Sequence, residues 1–125
     1  MHLIIGGAFQ GKTDWAKAQF SLKDADILEC NEQTLPVFSA KCITHLERFA
    51  LCCLRQGQEP KTVLLQNKEQ WKDSVLICDD ISCGVVPMDR ELRAWREATG
   101  RTINALAQRA ERVIRIFCGM PMVLK

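Results

Sequence analysis

The sequence lacks the features that would place the protein in a membrane, outside the cell or on nucleic acid. Because no apolar run approaches the ~20 residues that a membrane-spanning helix needs, we expect no such helix. The first residues contain neither a basic segment nor a long apolar segment, so we expect no secretory signal. A net charge of +2 is too small to indicate nucleic-acid binding. The 125 residues, 26% charged and without repeats, predict a single domain over residues 1–125.

Cysteine is the one residue type present in excess. There are seven cysteines, an odd number at irregular spacing and without a CxxC pair. Five of them stand among Leu, Ile, Val or Phe, namely Cys30, Cys52, Cys53, Cys78 and Cys118. We therefore expect small buried hydrophobic side chains in a reducing cytoplasm. The alternative, a metal site built from Cys42, His45, Cys52 and Cys53, lacks the closely spaced ligand pairs of structural zinc sites.

The order of predicted elements indicates an α/β fold with a largely parallel sheet. Short apolar runs predict strands at residues 3–5, 27–28, 75–78 and 113–117, with residues 122–124 pairing back on the last of them. Apolar stripes at helical spacing predict helices at residues 12–20, 37–56, 61–71 and from an Asp89 cap to about residue 110. A loop containing Gly and Pro is predicted over residues 82–88.

The most specific motif, G-x-x-x-x-G-K-T, follows the first predicted strand and opens the first predicted helix. It consists of Gly6, Gly7, Ala8, Phe9, Gln10, Gly11, Lys12 and Thr13. Glycines let successive backbone N–H groups point inward, and the helix N-terminus adds further donors for phosphate. Lys12 then reaches the β- and γ-phosphates, and the Thr13 hydroxyl is offered to Mg²⁺. The motif predicts binding of ATP or GTP with Mg²⁺; the alternative is a turn that only needs glycine.

Acidic residues follow two of the predicted strands, where a parallel sheet places its ligands. Asp79 and Asp80 end the strand at residues 75–78. We expect one of the two to hold Mg²⁺ and the other to orient or deprotonate the acceptor, unless both merely start a loop. Glu29 is a second candidate ligand for the metal.

Two further residues are ambiguous. Arg101 lies beside Gly100 in the long helix, where a phosphate or a neighbouring subunit could approach; a solvated arginine is the alternative. His45 is a lone histidine on the apolar face of the helix predicted over residues 37–56. We therefore predict that it is a satisfied interfacial residue rather than a nucleophile.

Several segments resemble the bifunctional adenosylcobinamide kinase / adenosylcobinamide-phosphate guanylyltransferase family of cobalamin biosynthesis. The resemblance is carried by residues 5–13, 27–30, 79–101 and 119–125. It implies a P-loop three-layer sandwich with a mostly parallel sheet and a C-terminal antiparallel strand. It also implies a cytoplasmic homotrimer that binds ATP or GTP and takes a corrinoid substrate.

The chain departs from the family between the first helix and Glu29. Family members carry there another strand and a helical segment with the guanylylated histidine, whereas this chain has only residues 21–26 and no matching histidine. We therefore predict a kinase that passes a γ-phosphoryl group to a hydroxyl of cobinamide, with guanylyl transfer lost. Its catalytic residues would be Lys12, Asp79 and Asp80. The alternatives are a regulatory or scaffold protein that only binds nucleotide, and an NTPase for another small molecule.

Overall fold

A computed structural model of the chain, which describes residues 1–82 and 88–125, contains a sheet of six strands. The strands are β1 (His2–Gly6), β2 (Ile27–Glu29), β3 (Cys42–Thr44), β4 (Val75–Asp79), β5 (Arg112–Phe117) and β6 (Met120–Val123). Their order across the sheet is β2-β3-β4-β1-β5-β6. Neighbouring strands run parallel except for β5 and β6, which form an antiparallel pair at one edge.

Helices cover both faces of this sheet. They are α1 (Lys12–Phe20), α2 (Leu46–Arg55), α3 (Pro60–Gln66), α4 (Lys68–Trp71) and α5 (Arg90–Arg109), with a 3-10 turn at Asp24–Asp26. Helix α1 packs on one face and the other helices contribute to the core on the opposite face. None of the helices that the structure describes is both long enough and apolar enough to cross a bilayer.

The central strands are apolar on both sides because both of their faces are covered. Leu3 and Leu76 face the core that includes α2 and α5, whereas Ile4 and Ile77 face α1. All four side chains are buried. The prediction of an α/β fold with a mostly parallel sheet and a C-terminal antiparallel strand is therefore confirmed.

The long helix begins where the sequence predicts it. The Asp89 side chain accepts a hydrogen bond from the backbone N–H of Leu92 at 3.1 Å, as an N-cap does. The loop predicted over residues 82–88 falls largely on residues 83–87, which lie outside the described residues.

The helix predicted over residues 37–56 is wrong in its first half. The structure has β3 and α2 there, separated by His45 in the left-handed conformation with φ of 57°. The apolar residues that indicated one continuous helix belong instead to a buried strand of three residues and to the helix that follows it. His45 therefore does not lie on a helix face beside Cys42, contrary to the prediction.

Of the six cysteines that the structure describes, all but one are confirmed as buried hydrophobic side chains; Cys83 lies outside the described residues. Cys30, Cys42, Cys52, Cys53 and Cys78 are buried, whereas Cys118 is exposed in the turn between β5 and β6. Burial raises the pKa of Cys30, Cys42 and Cys53 to about 12. These thiols are therefore poor sources of thiolate.

Candidate functional site

The segment from Gly6 to Thr13 links β1 to α1, and its glycines are required by the backbone. Gly6 has φ of +156°, and a Cβ there would stand 2.5 Å from the Ile116 carbonyl oxygen. Gly11 has φ of +89° immediately before α1, a conformation that L side chains rarely adopt. The tight curl at both ends of the Gly6–Thr13 loop thus depends on residues without a side chain.

The turn between β5 and β6 fixes the outer side of this loop. The backbone N–H of Cys118 donates to Gln10 Oε1 at 2.7 Å, and that of Gly119 donates to the Gln10 carbonyl oxygen at 2.9 Å. Phe9 has a positive φ of 60°, and its side chain is fully exposed at the rim. Gln10 is therefore tied to the sheet edge rather than directed into the loop.

Lys12 and Asp79 form an ion pair at the base of the loop. Lys12 Nζ lies 2.7 Å from Asp79 Oδ1 and donates a hydrogen bond to the Gly7 carbonyl oxygen at 2.6 Å. The lysine side chain is only 6% exposed and the aspartate side chain 20%. The structure thus brings together two residues that the sequence assigned to one site, from β4 and from the start of α1.

A second polar network reaches Asp79 from the start of α2. Glu47, which is 4% exposed, accepts a hydrogen bond from the Asp79 backbone N–H through Oε2 at 3.0 Å. Its Oε1 lies 2.8 Å from His45 Nδ1, and the other ring nitrogen of His45 lies 3.2 Å from Glu29 Oε1. Trp95 Nε1 also donates to the Glu47 carbonyl oxygen, at 2.6 Å. Three strand ends and α5 therefore converge on one buried glutamate.

Several of these groups, but not Glu47 or Trp95, line a cleft of about 680 Å³ at the carboxyl edge of the sheet. A cavity of this size is typical of sites for ligands as large as a nucleotide. Its polar lining includes Lys12, Thr13, Glu29, His45 and Asp79. The cleft combines a backbone loop that suits phosphate with carboxylates that suit a cation.

The cobinamide kinase / cobinamide phosphate guanyltransferase family model matches residues 40–124, which is more than half of the chain. The chain belongs to this family. No curated protein matches it. The matched residues contain β3, α2, β4 and α5, and therefore His45, Glu47 and Asp79, whereas the Gly6–Thr13 loop precedes them.

One set of side chains in this family member is close enough to hold a cation together. Single ligand atoms of His45, Glu47 and Asp79 all lie within 4.8 Å of one another. Carboxylate oxygens are the donors that Mg²⁺ prefers, and an imidazole is better suited to a transition metal. Thr13 and Glu29, which the sequence predicts as metal ligands, line the same cleft but do not belong to this set.

Two of the predicted site residues lie elsewhere. Asp80 follows Asp79 directly but lines a separate pocket on the opposite face of the sheet, where its Oδ1 accepts a hydrogen bond from the Ser82 backbone N–H at 2.9 Å. Arg101 is exposed, and its Nε lies 3.5 Å from Glu59 Oε1. Within this chain, neither side chain is among those that line the cleft.

Sequence reasoning missed Glu47 and misplaced His45. Glu47 stands next to Arg48 between Leu46 and Phe49, so the sequence does not set it apart from an ordinary surface acid; only its burial in the folded chain is a signal for a functional site. His45 does have polar partners, as predicted, but both of its ring nitrogens face glutamates at the cleft.

Proposed function

We propose that this family member binds a nucleoside triphosphate in the cleft and transfers its γ-phosphoryl group to a hydroxyl of cobinamide. The observation that carries the proposal is the Lys12–Asp79 ion pair, 2.7 Å long, at the end of a glycine-rich loop. A lysine held there beside a carboxylate is placed to exchange that partner for phosphate. Membership in the kinase and guanyltransferase family supports cobinamide as the acceptor.

The incoming triphosphate would displace Asp79 and the Gly7 carbonyl from Lys12. Phosphate oxygens carry more charge than one carboxylate and one carbonyl, so the ammonium moves to the β- and γ-phosphates. The backbone N–H groups of the loop and of the first turn of α1 would hold the remaining oxygens. Binding therefore frees the Asp79 carboxylate for a second task.

Thr13 and Asp79 are the residues that we expect to hold Mg²⁺, with Glu29 or Glu47 nearby, because they offer a hydroxyl and carboxylates around one cleft. When bound, the cation would neutralise charge on the phosphates. Asp79 rather than Asp80 is placed for this role because its side chain faces Lys12.

Proton transfer from the acceptor hydroxyl would fall to a carboxylate of the same cleft. Asp79, which lines the cleft at the end of β4, is the first choice, and Glu47, which lies in the first turn of α2 and accepts a hydrogen bond from the Asp79 backbone, is the second. Positioning and charge neutralisation account for most of the rate in phosphoryl transfer. A short chain that keeps the loop and these carboxylates therefore retains what the reaction needs.

We expect no guanylyl transfer through a histidine. Both ring nitrogens of His45 are engaged by glutamates, at 2.8 Å and 3.2 Å, so neither is presented to a phosphate. Incubation with GTP labelled at the α-phosphate, followed by denaturation, should leave the protein unlabelled. Label that is retained by the wild type and lost in His45→Ala would contradict this expectation.

The test of the kinase is a phosphorylation assay on cobinamide with ATP or GTP. Lys12→Ala should lower the rate by on the order of 10²–10³, because it removes the cation that stabilises the transferring phosphate. Lys17→Ala is the matched control, since Lys17 lies on the same helix and pairs with the exposed Asp24 at 2.6 Å. Wild-type protein that binds nucleotide and makes no product would indicate a non-catalytic binding protein instead.

A further inference from the structure

A second pocket, which we call the α5 pocket, lies on the opposite face of the sheet from the cleft. It has a volume of about 200 Å³ and is lined by Ile5, Asp80, Arg96, Thr99, Gly100 and Asn104, among others. Asp79 lines the cleft and Asp80 lines the α5 pocket, so adjacent residues of one chain segment border both sites. No step of the proposed reaction yet uses the α5 pocket.

The wall of this pocket contains a buried hydroxyl that no described residue satisfies. Thr99 is 2% exposed, and its Oγ1 makes no hydrogen bond with residues 1–82 or 88–125. Thr102, one turn further along the same helix and equally buried, donates from Oγ1 to the Ala98 carbonyl oxygen at 2.8 Å. An unsatisfied buried polar group is costly, and in a pocket wall it indicates a group that a ligand satisfies.

Gly100, the next residue, keeps the pocket open. It lies inside α5, where glycine is a poor helix former, yet among the described residues no atom beyond its chain neighbours and the adjoining helix backbone stands within 4 Å of the place that a Cβ would take. Packing therefore gives no reason for a glycine at this position. A glycine on the pocket wall lets a ligand approach the helix backbone closely.

The chemistry of the lining selects the ligand class. Arg96 and Asp80 bring one charge of each sign, which disfavours a phosphate or a carboxylate. The Asn104 amide and the Thr99 hydroxyl each offer a donor and an acceptor. Ile5, Ile81 and Ile103 supply apolar walls, and the volume is below that of pockets for whole drug-sized molecules. The lining suits a short, neutral arm that ends in a group with both a donor and an acceptor.

We propose that the α5 pocket binds a carboxamide-bearing side arm of the corrinoid acceptor. The carboxamide would hydrogen-bond to Thr99 Oγ1 and lie over Gly100, with the methylenes of the arm against the isoleucines. This inference rests on the proposed function, since it adds a subsite for the same acceptor. It places this arm, and not the hydroxyl that accepts the phosphoryl group, on the side of β4 away from the Gly6–Thr13 loop.

In the experiment, each variant is titrated with dicyanocobinamide. Its affinity is measured by calorimetry and by the change in visible absorbance of the corrinoid. Thr99→Val should weaken binding about tenfold, the loss expected for one hydrogen bond. Gly100→Leu fills the pocket and should abolish measurable binding. Matched controls are Thr102→Val, which removes a hydroxyl bonded within the helix, and Ala94→Leu, which adds the same side chain at an exposed position of α5. Both controls should bind like the wild type.

A second ligand series tests the amide itself. Corrinoids in which single amide arms have been hydrolysed to carboxylates should include at least one that binds the wild type more weakly than cobinamide does. Thr99→Val should reduce that difference, because it removes the hydroxyl that recognises the amide. Equal binding of all hydrolysed forms would overturn the assignment of the arm.

The outcomes separate this inference from the proposed function. Phosphorylation of cobinamide with unchanged KM in Thr99→Val and Gly100→Leu would overturn the subsite and leave the kinase intact. Corrinoid binding that depends on Thr99 and Gly100 without phosphorylation would support the subsite while the kinase fails. A wild-type protein that does not bind dicyanocobinamide would overturn the subsite outright.

Discussion

The cleft and the α5 pocket lie on opposite faces of one sheet and differ in how their polar groups are satisfied. In the cleft, Lys12 is paired with Asp79 and His45 with two glutamates. In the α5 pocket, the buried Thr99 hydroxyl has no partner among the described residues. A ligand of the cleft must therefore displace internal partners, whereas a group that bonds to Thr99 Oγ1 would take the place of none of them.

The two sites meet at the end of β4. Asp79, the last residue of β4, lines the cleft, whereas Asp80, the first residue after the strand, lines the α5 pocket. The Asp80 backbone N–H also donates to the Gly6 carbonyl oxygen at 2.8 Å, which joins this segment to the Gly6–Thr13 loop. Two identical neighbouring residues thus border different cavities.

The largest expected effect separates these two aspartates. Asp79→Asn should lower kcat for cobinamide phosphorylation by about 10²-fold, because it weakens both cation binding and proton transfer. Asp80→Asn should act mainly on KM for cobinamide, since its side chain borders the α5 pocket. Steady-state kinetics of both variants measures whether each substitution acts on kcat or on KM. A larger loss of kcat in Asp80→Asn would reverse the assignment of the two sites.

Removal of Glu47 should cost stability as well as activity. Glu47→Leu removes the acceptor of the Asp79 backbone N–H and the partner of His45 Nδ1, so the free energy of unfolding should fall by about 2 kcal/mol. Urea denaturation measures the change. Glu29→Leu is the control, because Glu29 is largely exposed and its loss should have little effect. Equal stability of the two variants would contradict the buried network.

The two threonines of α5 should respond with opposite signs. Thr99→Val removes an unsatisfied buried hydroxyl and should raise the free energy of unfolding by about 1 kcal/mol. Thr102→Val removes a hydroxyl that is bonded to the Ala98 carbonyl and should lower stability slightly. Thermal or urea unfolding of both variants checks the prediction. A destabilised Thr99→Val would mean that the hydroxyl is satisfied in the folded protein.

The smallest effect concerns the cysteines. Among the six described cysteines, Cys118 should react first with iodoacetamide, since it is exposed, whereas burial raises the pKa of Cys30 and Cys42 to about 12. Mass mapping of the alkylated sites measures this. Because Cys118 only borders the Gly6–Thr13 loop through its backbone, alkylation should change nucleotide affinity by about twofold or less. Early labelling of Cys30 would show that the core opens.

Local sequence patterns predicted much of the fold and the side of the cleft that the Gly6–Thr13 loop forms. The strand, glycine-rich loop and helix of residues 2–20 are encoded by neighbouring residues, so their positions followed directly. The position of strand β3 could not be predicted in this way, because its three residues continue the apolar spacing of the helix after it. The left-handed backbone of His45, which separates the two elements, has no sequence signature. The contact of Glu47 with Asp79 depends on how β3 and β4 pair, which only the folded chain determines.

The central claim is that the loop and Lys12 hold a nucleoside triphosphate. Calorimetric titration with ATP and GTP in the presence of Mg²⁺ tests it most directly, on the wild type and on Lys12→Ala. We predict that the wild type binds at least one of them and that Lys12→Ala weakens this binding by about 100-fold, as loss of a charge-assisted contact to phosphate implies. Wild-type protein that binds neither nucleotide, or equal binding by Lys12→Ala, would contradict the account.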